Sequence, residues 1–150
     1  GAKGALTWRV LDVGTGSGIL AIAAALLGAS EVQAIDTDPL AVKAAQENAE
    51  RNGVAGRVVV SRATLESPLS PDVPRHTGNG YDLLLVNILA QVIAAMAPAI
   101  AAALRPGGLW VASGIIAEQE QLAIDALARA GLTLDERLVQ EDWIALLGHK

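Results

Sequence analysis

Val10-Leu-Asp-Val-Gly-Thr-Gly-Ser-Gly-Ile-Leu20 is the stretch whose reading decides the fold. A short β-prone run ends in an acid at Asp12, breaks into Gly14, Gly16 and Gly18, and restarts as an apolar, alanine-rich helix. A strand that feeds a helix through alternate glycines leaves backbone free of Cβ atoms, so a ligand can lie against it. A second β-prone run, Glu31-Val-Gln-Ala-Ile-Asp36, ends in another acid. In open α/β sheets this pairing suits a nucleoside-bearing cofactor, with the glycines under its middle and a carboxylate on its ribose.

Outward from that stretch, strand-like and helix-like segments alternate. Strands are expected at Trp8–Val13, Glu31–Asp36, Arg57–Ser61, Tyr81–Asn87 and Leu109–Ser113, the last launched by the turn Arg105-Pro-Gly-Gly108. Helices are expected at Ile19–Leu27, at Pro39–Asn52 with Asp38 as N-cap and Asn52-Gly53 as its close, after Asn87 with Pro98 as a candidate break, and at Glu118–Ala130 up to Gly131. Leu132–Val139 and Trp143–Leu147 are separated only by the acidic turn Gln140-Glu-Asp142. So short a link cannot hold a crossover helix, so the two form an antiparallel pair. The expectation is one α/β domain over residues 1–150, a Rossmann-like, seven-stranded, mostly parallel sheet with an antiparallel C-terminal hairpin and helices on both faces. Glu66–Gly80, with three prolines, reads as a surface loop or a substrate lid.

Composition narrows the function. Hydrophobic residues make up 52% and charged residues 18%, with no Phe, so the core is aliphatic, as strands buried on both faces require. A net charge of −5 lacks the broad positive field of a nucleic-acid binder, so direct nucleic-acid binding is not expected. There is no cysteine, and His76 and His149 lie far apart, so no metal is expected. No signal peptide is read at the start, and the most apolar run, Ile88 to Leu104, carries Gln91 and Pro98 and falls short of the ~20 residues that span a bilayer. A cytoplasmic, non-membrane protein is expected.

The glycine spacing separates two cofactor classes. A dinucleotide site has G-x-G-x-x-G, whose third glycine (or alanine) packs helix on strand beneath a pyrophosphate. Ile19 fills that place here, and the glycines fall at every other residue. Close backbone approach without a pyrophosphate suits S-adenosylmethionine better. Gly14, Thr15, Gly16 and Gly18 are then the cofactor loop. Asp36 reads as a ribose acceptor or as a loop acid ahead of the Asp38 cap. Asp12 either steadies the loop or meets the ligand's amino group. Ala63 and Thr64 fall where adenine would lie. Asn87 reads either as a helix N-cap or as an acceptor that orients an amine toward the cofactor's methyl, next to Ile88 and Leu89. Gly114 reads as a strand-end turn or as backbone at the active-site mouth. Trp8, Trp110 and Trp143 are expected in the core or at a sheet edge rather than as surface anchors, and His76 and His149 as exposed and without partners.

Leu11-Asp-Val-Gly-Thr-Gly-Ser-Gly-Ile-Leu-Ala-Ile-Ala23, Ile35-Asp-Thr-Asp-Pro39, Glu47-Asn-Ala-Glu-Arg-Asn-Gly53, Asn87-Ile-Leu-Ala90 and Ser113-Gly-Ile-Ile116 together resemble the ribosomal protein L-eleven methyltransferase family over nearly the whole chain. The glycine motif is common to class I methyltransferases, while Asn-Ile-Leu-Ala and the late Ser-Gly-Ile are narrower. Asn-Pro-Pro-Tyr, found at this point in many amide, amine and adenine methyltransferases, is absent. The resemblance implies S-adenosylmethionine-dependent methylation of amino groups, lysine side chains or the N-terminal amine, of a large-subunit ribosomal protein. It implies that Gly14, Gly16 and Gly18 line the cofactor, Asp36 holds its ribose, Asn87 is the catalytic residue beside the methyl, and Ile88, Leu89 and Gly114 belong to the substrate pocket. The family's N-terminal substrate-recognition domain and linker are not read in this chain, so it is expected to be the catalytic domain alone. The alternatives are a class I methyltransferase for another amine, a cofactor-binding module without turnover, and, less favoured by Ile19, a nicotinamide-dependent oxidoreductase.

Overall fold

The computed structural model describes residues 7–65 and 80–150. The 66–79 segment, and with it His76 and the expected loop or lid, lies outside the described residues. Seven strands form one sheet: β1 (Arg9–Val13), β2 (Glu31–Asp36), β3 (Val58–Arg62), β4 (Tyr81–Asn87), β5 (Leu104–Ile116), β6 (Thr133–Gln140) and β7 (Trp143–His149). Among the described residues four α-helices accompany them: α1 (Ile19–Leu26), α2 (Pro39–Arg51), α3 (Ala90–Ala103) and α4 (Glu120–Arg129). The order is β3-β2-β1-β4-β5-β7-β6. β1 pairs in parallel with β2 and β4, and β7 runs antiparallel between β5 and β6. The expected architecture is present.

Alternation along the buried strands divides the core. Val10, Val32, Ala34 and Val58 pack with Ala21, Ile22 and Ala25 of α1 and Ala49 of α2. Leu11, Val13, Ile35, Leu84 and Val86 face the other way, with Ile93, Ala97 and Ile100 of α3 and Ala123 and Leu127 of α4. Alanine on the helix faces lets backbone approach the sheet closely, and the period-two strand pattern makes both faces apolar. Asp38 caps α2 by accepting from the Leu40 N–H at 2.9 Å, with Pro39 at the first helical position.

Four local expectations need correction. Pro98 does not break α3, which runs on to Ala103. Proline already holds a helical φ, and burial of Ala97, Ala99, Ile100 and Ala101 around it offsets the missing hydrogen bond. β5 starts before Arg105-Pro-Gly-Gly108, because Leu104 already pairs with Tyr81 and the turn is taken up as an irregularity before Leu109 pairs with Leu83. Trp110 is core at 1% exposure, but Trp143 is 56% exposed. Lastly, His149 has a partner, its Nδ1 lying 2.7 Å from Asp135 Oδ2 across the β6–β7 pair.

Candidate active site

β1 is the switch point of the sheet: β2 and β3 extend to one side of it, β4 and β5 to the other. Ligands of open α/β sheets bind outside the carboxyl ends of the strands at such a point. Here the chain leaves β1 at Gly14 and β4 at Ile88, and the two turns touch. A Cβ on Gly14 would lie 2.7 Å from Ile88 Cγ2, and Gly14 has φ +71°. Gly16 also has a positive φ (+57°), yet a Cβ there would meet nothing within 4 Å. Its side therefore opens on free space. Gly18 serves packing, because its Cβ would stand 3.1 Å from that of Ala45 in α2. Asn48 of α2 also fixes the loop, its side-chain amide donating to the Ser17 carbonyl at 2.9 Å.

Both carboxylates are tied to this loop. Asp36 Oδ2 accepts from the Gly16 N–H and its Oδ1 from the Asp38 N–H, each at 2.9 Å. Asp36 remains half-buried. With two bonds accepted, its oxygens keep further acceptor capacity. Asp12 lies beneath the loop, 1% exposed, where its Oδ2 accepts from the Thr15 hydroxyl at 2.8 Å. Burial pushes the Asp12 carboxyl up to about 6, against the opposing pull of the Thr15 hydroxyl and the Ala21 amide, with Asp36 adding a small push in the same direction as burial. Thr15 is itself buried.

Four of the loop's amides are used internally. The Gly14 and Thr15 N–H groups both donate to the Ile35 carbonyl at 2.9 Å, the Gly18 N–H to the Thr15 carbonyl, and the Gly16 N–H to Asp36. Asp36 is the carboxylate that meets this turn at the surface, while Asp12 lies buried beneath it.

Two hollows hold the remaining candidates. A cleft of about 250 Å³ brings Gly14, Asp36, Ala63, Thr64 and Ile88 together, walled by Val13, Thr37, Val92 and Met96. A second pocket, about 680 Å³, is lined by Asn87, Ser113 and Gly114 and by Leu138, Val139, Gln140, Trp143, Ile144 and Ala145. Asn87 is exposed at the end of β4 and does not cap α3, whose first turn follows Leu89 without a side-chain cap. The chain turns away from Asn87 through Ile88 and Leu89 before α3 begins, which puts it out of capping reach. Leu89 is 66% exposed and lines neither hollow.

A bulge creates the second pocket. β5 shifts register against β7 between Ala112 and Ile115, while Ser113 still pairs with Asn87 of β4. Gly114 takes φ +77° at that step, and a Cβ there would lie 2.6 Å from Asn87 Oδ1. The β6–β7 wall, with Trp143, was not expected from sequence. The only local signal for it is an acidic hairpin turn followed by an indole that does not fit a buried strand. Among the described residues no cluster of three or more His, Asp or Glu side chains could hold a metal ion. No helix among them is long and apolar enough to cross a membrane.

Known proteins share this arrangement. Residues 3–150 match the family model described as Ribosomal protein L11 methyltransferase (PrmA). The chain is 52% identical over 137 residues to the ribosomal protein L11 methyltransferase of Pelotomaculum thermopropionicum, covering 91% of this chain and 42% of that protein. With the Chloroflexus aurantiacus protein of the same name it shares 44% identity over 155 residues, 93% of this chain and 47% of the relative. The chain thus spans less than half the length of these curated relatives. Among solved structures, a ribosomal protein L11 methylase from Lactobacillus delbrueckii subsp. bulgaricus superposes with a TM-score of 0.83 at 34% identity, covering 99% of this chain and 73% of that one. A precorrin-6y C5,15-methyltransferase from Geobacter metallireducens, 16% identical with a TM-score of 0.72, shares the fold.

Proposed function

This chain belongs to the ribosomal protein L11 methyltransferase family, and from that premise we propose that residues 1–150 carry S-adenosylmethionine-dependent methyl transfer to amino groups of a large-subunit ribosomal protein in the cytoplasm. The acceptors are lysine side chains or the N-terminal amine. The observation that carries the reading is that Gly14, Asp36, Ala63 and Thr64 meet in one hollow at the carboxyl ends of the parallel strands, where Asn87 and Gly114 also lie and line a second.

Open space over Gly16 and the acceptor capacity left on Asp36 fit the cofactor. Gly14 and Gly16 would lie along its methionyl and ribose portions, Asp36 would accept from ribose hydroxyls, and Ala63 and Thr64 would border the adenine. Asp12, Thr15 and Gly18 act from below by fixing the loop. S-adenosylmethionine, when bound, supplies a methyl group on a sulfonium.

Transfer from a sulfonium is an in-line displacement, so the chain's work is alignment and exclusion of water. A lysine amine, ordinarily at a pKa of about 10.4, must be neutral to act as a nucleophile. Leu138, Val139, Trp143 and Ile144 give the acceptor pocket apolar walls, and desolvation there favours the neutral amine. Asn87 Oδ1, oriented beside Gly114, accepts an N–H of that amine and so turns its lone pair. The released proton leaves through the open side of the pocket, with no carboxylate or imidazole among its lining residues.

The test is methylation of the purified large-subunit ribosomal protein, or of its lysine-bearing segments, by the full-length protein with radiolabelled S-adenosylmethionine. Label on substrate amines, reduced in Asn87→Ala with cofactor affinity retained, is expected. Unchanged turnover in Asn87→Ala would remove its orienting role.

A further inference from the structure

β6 is the outer strand of the sheet on the side of the acceptor pocket, and all eight of its residues are exposed. Long exposed edges invite pairing with another chain, and proteins usually blunt them with proline, lysine or bulges. β6 contains neither proline nor lysine. Its one irregularity falls between Leu134 and Glu136, and from Glu136 to Gln140 the ladder with β7 is regular. The regular part ends at the pocket, where Leu138, Val139 and Gln140 form the wall. The opposite edge, β3, has five residues and ends in Arg62.

The hairpin fixes which backbone groups are free. Gln140 pairs with Trp143 across a two-residue turn, so these two residues exchange hydrogen bonds. Alternation then points the N–H and C=O groups of Val139 and Arg137 away from β7, toward the open edge. The charge beside that edge is acidic. Asp135, Glu136, Glu141 and Asp142 stand against one guanidinium, Arg137, which is already paired with Glu120, while Asp135 is engaged with His149. Glu136, Glu141 and Asp142 have no ion-pair partner among the described residues.

We propose that the acceptor-bearing segment of a basic protein substrate docks as an added strand on the Glu136–Gln140 edge of β6, its backbone bonding to Arg137 and Val139. A lysine of that segment then enters the pocket beside Asn87. The proposal rests on the methyltransferase reading above. Main-chain pairing supplies affinity without demanding one side-chain sequence, and the carboxylates favour lysine-rich segments.

The test uses the full-length protein with S-adenosylmethionine, a short synthetic lysine-valine peptide, and the same peptide N-methylated along its backbone. The plain peptide is expected to be methylated and to slow amide exchange at Arg137 and Val139, whereas the N-methylated one binds at least tenfold more weakly. Arg137→Pro, which removes an outward N–H, is expected to raise KM for the plain peptide about tenfold at unchanged kcat. Arg137→Ala, which keeps that N–H, is expected to have a KM for the plain peptide well below that of Arg137→Pro. Slow exchange at β7 amides in both variants reports an intact hairpin. Equal binding of the two peptides overturns the proposal, as does methylation without protection at Arg137 and Val139, or protection that rises with protein concentration in the absence of peptide. A peptide that is neither bound nor methylated overturns it too. Protection without methylation leaves the docking edge standing and counts against the methyltransferase reading instead.

Discussion

The carboxamide oxygen of Asn87 stands where a side chain on Gly114 would have to go: a Cβ there would approach it to 2.6 Å. The contact joins the end of β4 to the bulge of β5, and Asn87 keeps its place only while residue 114 lacks a side chain. Gly114 also holds φ +77°, which an L side chain adopts only with strain.

Gly114→Ala therefore displaces the Asn87 amide. Misplacement of a catalytic group by about 1 Å can cost on the order of 100-fold in rate. The expected outcome is a fall of that order in turnover, with S-adenosylmethionine affinity within twofold of wild type. Steady-state kinetics and calorimetry on the same preparation check both halves. Wild-type turnover would show that Asn87 need not be held here.

Asp12 makes stability depend on pH. Its folded pKa of about 6 lies above the ordinary carboxyl value of 3.8, so the native state binds the proton more tightly. The resulting stabilisation is complete below the unfolded pKa and is lost as pH rises through about 6. At about 1.4 kcal/mol per pKa unit, the charged form costs about 3 kcal/mol above that range. Asp12→Asn keeps an acceptor for the Thr15 hydroxyl and removes the titration. In urea unfolding from pH 4.5 to 8, its stability relative to wild type should climb by about 2 kcal/mol, the part of that cost that develops within this range, and level off above pH 6 to 7. A difference independent of pH would contradict the burial argument.

Two tryptophans should separate stability from substrate use. Trp110 is 1% exposed, and truncation of a buried aromatic to alanine costs about 3–5 kcal/mol. Trp143 is 56% exposed and lines the pocket beside Asn87. Trp143→Ala should shift the thermal midpoint little and raise KM for protein substrate several-fold, without changing cofactor affinity. A large loss of stability with unaltered KM would make Trp143 a packing residue.

The sequence made local features legible and left non-local ones hidden. Asp38 and Pro39 announce the start of α2 because capping is decided within a few residues. Gly14 and Asp36 likewise announce the cleft in which they meet, since each lies at the end of a strand and parallel strands end on one side of the sheet. Nothing in the hairpin says that β7 inserts between β5 and β6, because either edge of the pair could join β5. The pocket beside Asn87 depends on that insertion and on the bulge at Ser113 and Gly114, so Leu138, Val139, Gln140 and Trp143 were not legible as its wall. Asn87 was legible only as two alternatives. The N-cap alternative falls because α3 begins two residues later than capping would need.

The central claim is that the glycine loop and Asp36 form an S-adenosylmethionine site. Its most direct test is calorimetric titration of wild type and Asp36→Ala with S-adenosylmethionine and, separately, with NADH. Saturable binding of S-adenosylmethionine to wild type, weakened at least tenfold in Asp36→Ala and with no heat from NADH, is the expected result. Binding of NADH without S-adenosylmethionine, or equal S-adenosylmethionine affinity in the two proteins, would contradict it.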